Sequence, residues 1–423
     1  MVSLRDRGVG RRGGAALATF LLALGGASVL SESAPAPPTS AAVLGERLFF
    51  DASLSRPPGQ SCAACHGPAV GFTGPEEEIN KGGGVYPGAV HGRFGNRKPP
   101  SAAYASSPVF AARTEKGKTV FSGGSFWDGR ATGERLGSAL AEQALGPFVN
   151  PLEQNLPAGA DVVATVCAGP YASMLREVAK KEKGIADACA PGNASAVYDL
   201  IGLAIAAYET SSRVQPFSSR YDRFLAGKIR LSGQEKRGLT LFADKGKCSG
   251  CHPHGRGPKG EPPLFTDFTY DNIGVPPNSA NPFYRMGPEY NPDGAAWRDP
   301  GLAGFLETEP RYARYAAENL GKFKVPTLRN VARRPSHGFV KAYGHNGVFK
   351  SLEEVVHFYN TRDVLPVCGT VKDPRPGKNC WPAPEEPRNV EREETGKLGL
   401  TADEEAAIVA FLQTLDDETP PNP

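Results

Sequence analysis

"CAACH" occupies residues 62–66 and "CSGCH" occupies residues 248–252. Each places two cysteines two residues apart, with a histidine directly after the second. C-x-x-C-H is the attachment signature of a c-type haem. Two thiols add to the vinyl groups of the macrocycle as thioethers, and the adjacent imidazole becomes the proximal ligand of the iron. Cys62, Cys65 and His66 would hold one haem, and Cys248, Cys251 and His252 a second. A zinc site or a thiol redox pair competes for the same residues. Zinc wants four ligands, and Cys-x-x-Cys pairs that bind it commonly cooperate in twos. The repeated CxxCH favours two covalently bound c-type haems.

The flanks repeat as well. "GERLFFDASLSRPPGQSCAACH" (45–66) and "RGLTLFADKGKCSGCH" (237–252) each run an apolar, helix-like stretch into a loop that carries the motif. Ser232 with Glu235 three residues on forms a capping box before the second of these helices. Thr401 with Glu404 repeats the device, and apolar spacing of helical period follows to residue 415. "VYDLIGLAIAAYETSSRV" (197–214) reads as a further helix, while "GRGPKGEPP" and "GVPPNSANP" are loops. The expected fold is mainly α, with two cytochrome c-like haem domains and long loops. The N-terminal domain would span 41–228 and the C-terminal domain 229–416.

The chain has 423 residues, enough for two domains. Its 48 Lys and Arg against 45 Asp and Glu give no strongly basic surface, so no nucleic-acid partner is expected. The 50 Gly and 39 Pro, about a fifth of the residues against a usual share of roughly an eighth, explain the expected loops. Arg5, Arg7, Arg11 and Arg12 precede the apolar "AALATFLLALGGASVL" and the Pro/Ser-rich "SESAPAPPTS". This order reads as an export signal over 1–33, with an uncleaved anchor as the alternative. The mature chain, without a membrane span, would then work in the periplasm. Four of the eight cysteines lie outside the haem motifs, and in an exported chain they are expected to pair as Cys167–Cys189 and Cys368–Cys380.

Two haems alone make an electron carrier. A catalyst also needs side chains that move protons beside an iron. "FWDGRATGERLGSALAEQALGPFVNPLEQ" (126–154) offers Gln143, Pro147 and Glu153 on a segment punctuated by Gly and Pro. Glu153 could take a proton from one oxygen of peroxide and deliver it to the other. Gln143 could hydrogen-bond a bound oxygen ligand. Read from chemistry alone, Glu153 is equally a solvated loop residue and Gln143 a helix-surface residue.

The chain resembles the bacterial di-haem cytochrome c peroxidases of the MauG-containing family over roughly 41–416. The resemblance is carried by both CxxCH units, "FWDGRA", "AEQALGPFVNPLE", "LFTDFTYDNIGVP", "FKVPTLRNVA" and "HNGVFKSLEEVVHFYN". It implies that the His66 haem is the peroxidatic one, with Gln143, Pro147 and Glu153 on its distal side. It also implies that Trp127 lies between the haems, although an isolated Trp is as readily a core aromatic. Typical peroxidases carry a Met as the distal ligand of the second haem, and the MauG branch a Tyr. Tyr359 falls at that position. Of the three methionines, Met1, Met174 and Met286, none lies in the matching segment. A phenolate would favour ferric iron relative to a thioether. Otherwise Tyr359 is an amphipathic aromatic packed along its helix.

His91 lies near where peroxidases place a removable distal ligand on the first haem, and His345 near the second haem without ligating it. A calcium ion between the domains is an option, but the matching Asn position falls at Asn96 or Lys98, and a lysine is a poor calcium neighbour. The resemblance implies a cytochrome-c peroxidase-type oxidoreductase that reduces hydrogen peroxide with electrons from a small cytochrome c or copper protein, with a homodimer as an option. The alternatives are a MauG-like oxidase that modifies side chains of a partner protein and a non-catalytic di-haem electron carrier.

Overall fold

The structure is a computed structural model that describes residues 39–418, so the expected export signal lies outside the described residues. The first half carries α1 (Ser40–Phe50), a short α2 (Glu77–Lys81) and a hairpin of β1 (Ala111–Glu115) and β2 (Lys118–Ser122). After these come α3 (Ala139–Val149), α4 (Gly159–Ala168), α5 (Ala172–Lys183) and α6 (Ala194–Glu209). The second half carries α7 (Arg220–Leu225), α8 (Gly233–Ala243), β3 (Tyr270–Asp271), α9 (Leu302–Thr308), β4 (Phe323–Lys324), α10 (Leu352–Thr361) and α11 (Ala402–Gln413). β1 pairs antiparallel with β2, and β3 with β4. The expected mainly helical fold with long loops is what the chain forms.

Side-chain oxygens start several of these helices. Thr39 accepts from the Ala42 N–H ahead of α1. Both expected capping boxes are present, Ser232 with Glu235 at α8 and Thr401 with Glu404 at α11. Each satisfies two N–H groups that a helix start leaves without partners.

Glycine sets how closely the helices cross. A Cβ on Gly45 of α1 would lie 1.9 Å from the Ala204 carbonyl oxygen of α6. A Cβ on Gly238 of α8 would lie 1.9 Å from the Ala407 carbonyl oxygen of α11. One glycine precedes each CxxCH. The repeat visible in the sequence is therefore a repeat of helix crossings, each leading into a haem motif.

Buried apolar side chains gather in two main clusters. One runs from Leu44 to Val214 and the other from Tyr221 to Leu415. Tyr221 sits on α7, so the second cluster starts upstream of residue 228. A smaller cluster unites Phe110 and Phe121 with Tyr270, Leu302 and Phe305. Polar groups also join the halves. Arg329 is fully buried, reaches both carboxylate oxygens of Asp222 at 2.6 and 2.9 Å, and lies over the rings of Tyr104, Phe217 and Phe265. The described residues form one compact unit.

Cys167 bonds to Cys189, and Cys368 to Cys380, the expected pairs. Among the described residues, no helix is long and apolar enough to cross a membrane.

Candidate functional site

Each CxxCH begins as one tight 3-10 turn, Cys62–Ala64 and Cys248–Gly250. The His66 N–H donates to the Cys62 carbonyl at 2.9 Å, and the His252 N–H to the Cys248 carbonyl at 2.9 Å. The turn gathers both thiols and the imidazole onto the wall of one cavity. All four thiols are free. Burial pushes each of them up, Cys65 and Cys248 to about 12, so they stay protonated. Among the described residues, no group of three or more His, Cys, Asp or Glu could hold a metal ion, which leaves the zinc reading without support.

The two imidazoles are oriented alike. Nδ1 of His66 lies 3.1 Å from the Phe72 carbonyl, and Nδ1 of His252 lies 2.7 Å from the Phe265 carbonyl. A carbonyl can only accept, so Nδ1 carries the proton and Nε2 keeps its lone pair, as an iron ligand must. Burial lowers both pKa values. For His66 the nearby Lys98 charge adds to this against the Phe72 and Pro100 carbonyls, and the value falls to about 4.

Both motifs line the same cavity. Its walls include Phe49, Ile205, Phe242, Val356, Ile408 and Leu412. Four lining residues hold buried polar atoms without a hydrogen-bond partner in the protein: Gln60 Oε1, Ser125 Oγ, Gln154 Oε1 and Glu209 Oε2. Buried polar atoms rarely stay unpaired. An apolar wall with a few orphaned polar atoms, and two thiols and a lone-pair imidazole from each motif, is what a pair of haems requires. The residues present fit the group.

The structure brings Gln143, Pro147, Glu153 and Trp127 to this cavity. Gln143 and Pro147 lie one turn apart on α3. Pro147 has no N–H, so the Gln143 carbonyl loses its helical donor. α3 ends at Val149, and a turn held by the Glu153 N–H to the Asn150 carbonyl (3.0 Å) carries Glu153 back to the cavity wall. Burial raises the Glu153 pKa, with Arg130 and the Asn150 side chain opposing. A desolvated carboxyl beside a cavity is suited to hold and release a proton.

Trp127 lies between polar partners from both halves. Its Nε1–H donates to the Lys98 carbonyl at 2.8 Å, and its carbonyl accepts the Lys324 N–H at 2.9 Å. Its ring centroid is 6.5 Å from that of His345. His345 stacks on Phe323 with centroids 3.5 Å apart, and its Nε2 lies 3.4 Å from Glu385 Oε2. Arg97 crosses Phe323 and bonds both Asp128 (2.6 Å) and Asp299 (2.7 Å). Sequence reasoning missed Arg97, Phe323, Glu385 and Glu209. The one available signal for Arg97 was a charge in the apolar-flanked "RFGNRKPP".

Tyr359 also lines the cavity, from α10. Burial raises its phenol pKa, with the Cys251 and Cys248 thiols adding to the rise, and the ring packs against the same buried cluster as Cys248. His91 is where the expectation fails. It is exposed in a turn with Gly92 at φ 81° and is not part of the cavity wall, so the structure does not bring it to the first motif.

A family profile described as di-haem cytochrome c peroxidase matches residues 39–230. The methylamine utilization protein MauG of Paracoccus denitrificans is 34% identical over 406 residues, 95% of each chain. Cytochrome-c peroxidase IdrP2 of Denitromonas iodatirespirans is 26% identical over 89% of this chain and 81% of its own. The di-haem peroxidase BthA of Burkholderia thailandensis superposes with a TM-score of 0.67 at 30% identity, over 90% of this chain and 87% of that one. Its fold is therefore that of the di-haem peroxidases, built on cytochrome c-like units, and two haems are its cofactors. The chain belongs to the di-haem cytochrome c peroxidase family that includes MauG, and it is an oxidoreductase of that class.

Proposed function

We propose that the protein is a periplasmic di-haem c-type peroxidase that reduces hydrogen peroxide to water. The observation that carries this reading is Glu153, a carboxyl with a raised pKa on the wall of the cavity that also holds Gln143, Pro147 and the His66 motif. Cys62, Cys65 and His66 would hold the first haem, whose iron would supply the redox chemistry for peroxide cleavage when bound. Glu153 would accept a proton from one oxygen of peroxide and return it to the other, which leaves as water. The Gln143 amide orients the oxygen ligand, and Pro147 fills the apolar wall beside it. Trp127, bonded to both halves of the chain, would be the route by which oxidising equivalents are shared with a second haem, which His252 and Tyr359 would hold.

Electrons arrive singly from a small cytochrome c or copper protein. Two disulfides support a place outside the cytoplasm. The buried Lys98 ammonium argues against calcium beside it. The test is steady-state turnover of peroxide with a reduced small cytochrome c, wild type against Glu153→Gln. Loss of turnover with unchanged haem spectra supports the peroxidase, and unchanged turnover removes Glu153 from its role.

One observation favours a second reading. Tyr359 lines the cavity beside Cys248 and Cys251, the position at which the MauG branch places its tyrosine ligand. On this reading the same site oxidises side chains of a partner protein. Mass spectrometry of candidate partner proteins after incubation with the enzyme and peroxide separates the two.

A further inference from the structure

Lys98 is buried, lines the cavity and has an ammonium with three donors. Two of them reach neutral oxygens, Thr73 Oγ1 at 2.8 Å and the Pro99 carbonyl at 2.8 Å. Among the described residues the third finds no acceptor, and no carboxylate there pairs with the charge. Burial, and after it the like charge of the buried Lys341 ammonium, pull its pKa down to about 7 in the absence of a counter-ion. Lys341 differs, because the Asp416 carboxylate opposes its charge. Lys324, a half-buried lysine of the cavity wall, feels the Asp128 carboxylate. A buried charge without a counter-ion is costly enough that proteins ordinarily supply one. At Lys98 the described residues supply none.

The surroundings say where the counter-ion comes from. Thr73 follows Phe72, whose carbonyl orients the His66 imidazole. The Lys98 charge is felt at that imidazole. The Lys98 carbonyl accepts the Trp127 Nε1–H at 2.8 Å, and the Lys98 N–H donates to the His345 carbonyl at 2.8 Å. The side chain thus belongs to the first motif, while its backbone joins Trp127 to the second half. A haem carries two propionate carboxylates, and both are anions that must be matched inside the cavity.

We propose that the Lys98 ammonium is the counter-ion of a propionate on the haem held by His66, a fixed cation that sets the potential of that haem. This rests on the reading that each motif binds a haem covalently. A fixed positive charge near the iron opposes the extra positive charge of the ferric state. It therefore holds the ferrous form more stable and the reduction potential higher. Because the ammonium belongs to the chain, no added metal ion can regulate it.

The test uses the holoprotein and the variants Lys98→Met and Lys98→Arg. Intact mass and haem quantitation come first, since a chain lacking two covalent haems defeats the haem reading and not the counter-ion. Spectroelectrochemical titration follows, with Tyr359→Met used to mark the second haem. Lys98→Met is expected to raise the ferric-to-ferrous ratio of the first haem about tenfold at fixed potential, a fall of about 59 mV for one electron. Lys98→Arg should recover most of it, and the second haem should move less. If both variants leave the first-haem midpoint where wild type has it, the proposal is overturned. Should Lys98→Met fail to load haem, the resonance Raman propionate bending band of Lys98→Arg against wild type decides. A shifted band supports the pairing, and an identical one overturns it.

Discussion

Gly238 on α8 lies directly against the backbone carbonyl of Ala407 on α11, with no room for a Cβ between them. The obstacle is backbone, so no rotamer change relieves it. Gly238→Ala should therefore push the two helices apart at the crossing that leads into the second haem motif. Overpacking of this kind costs roughly 1–3 kcal/mol, and a rigid contact should lie at the upper end. Thermal unfolding of the holoprotein should show a lower midpoint, and an unchanged one would mean that the crossing is softer than its geometry.

Glu153 makes a sharper demand on catalysis. Its carboxyl must be ionised to take the first proton, and burial raises its pKa above the ordinary carboxylate range. Peroxide turnover should then rise with pH through that raised value on the acid side. Glu153→Gln should lower turnover by about 10²–10⁴-fold and abolish that acid limb. The pH profile of kcat/KM for both proteins checks this. A glutamine variant that keeps both the rate and the limb excludes Glu153 as the base.

What the sequence revealed was local chemistry. A haem motif is five consecutive residues, a capping box spans four, and the disulfides close short loops, so each could be read without knowing the fold. Gln143, Pro147 and Glu153 were legible only through resemblance, since their own chemistry fits a loop surface as well as a cavity. Arg97 bonds Asp299, 202 residues away, and His345 meets Glu385, 40 residues away. No periodicity encodes such pairs. His91 misled for the opposite reason. It lies four residues before the cavity-lining Gly95, but the turn at Gly92 sends it outward. Closeness in sequence says nothing about direction.

Tyr359 offers a test that does not depend on turnover. If its phenolate ligates the second haem, Tyr359→Met should exchange a ligand that favours ferric iron for one that favours ferrous iron. The midpoint of that haem alone should rise, and its ferric absorption bands should change. Tyr359→Phe should leave the iron face open or filled by water. If Tyr359→Met gives the wild-type spectrum and midpoint, the tyrosine is a packing residue.

Arg97 makes the last case, because two carboxylates depend on it. It reaches Asp299 through Nε and Nη2 at 2.7 Å each and Asp128 through Nη1 at 2.6 Å, all three side chains being nearly buried. Although burial alone would raise both Asp pKa values, the guanidinium charge outweighs it and holds them below the usual carboxylate range. Groups with lowered folded-state values add stability above their ordinary pKa and lose it as pH falls through the folded-state values. The wild-type protein should therefore keep this contribution through neutral pH and lose it only on strong acidification. Arg97→Met leaves Asp299 without its ion-pair partner and Asp128 with only the more exposed Arg130. Breaking a buried pair by removing one partner costs about 3–5 kcal/mol. The loss should be largest near neutral pH and shrink as acid protonates the stranded carboxylates. Denaturant unfolding of both proteins at several pH values measures the difference. A gap that stays constant with pH would mean that the loss comes from the missing stack on Phe323 rather than from charge.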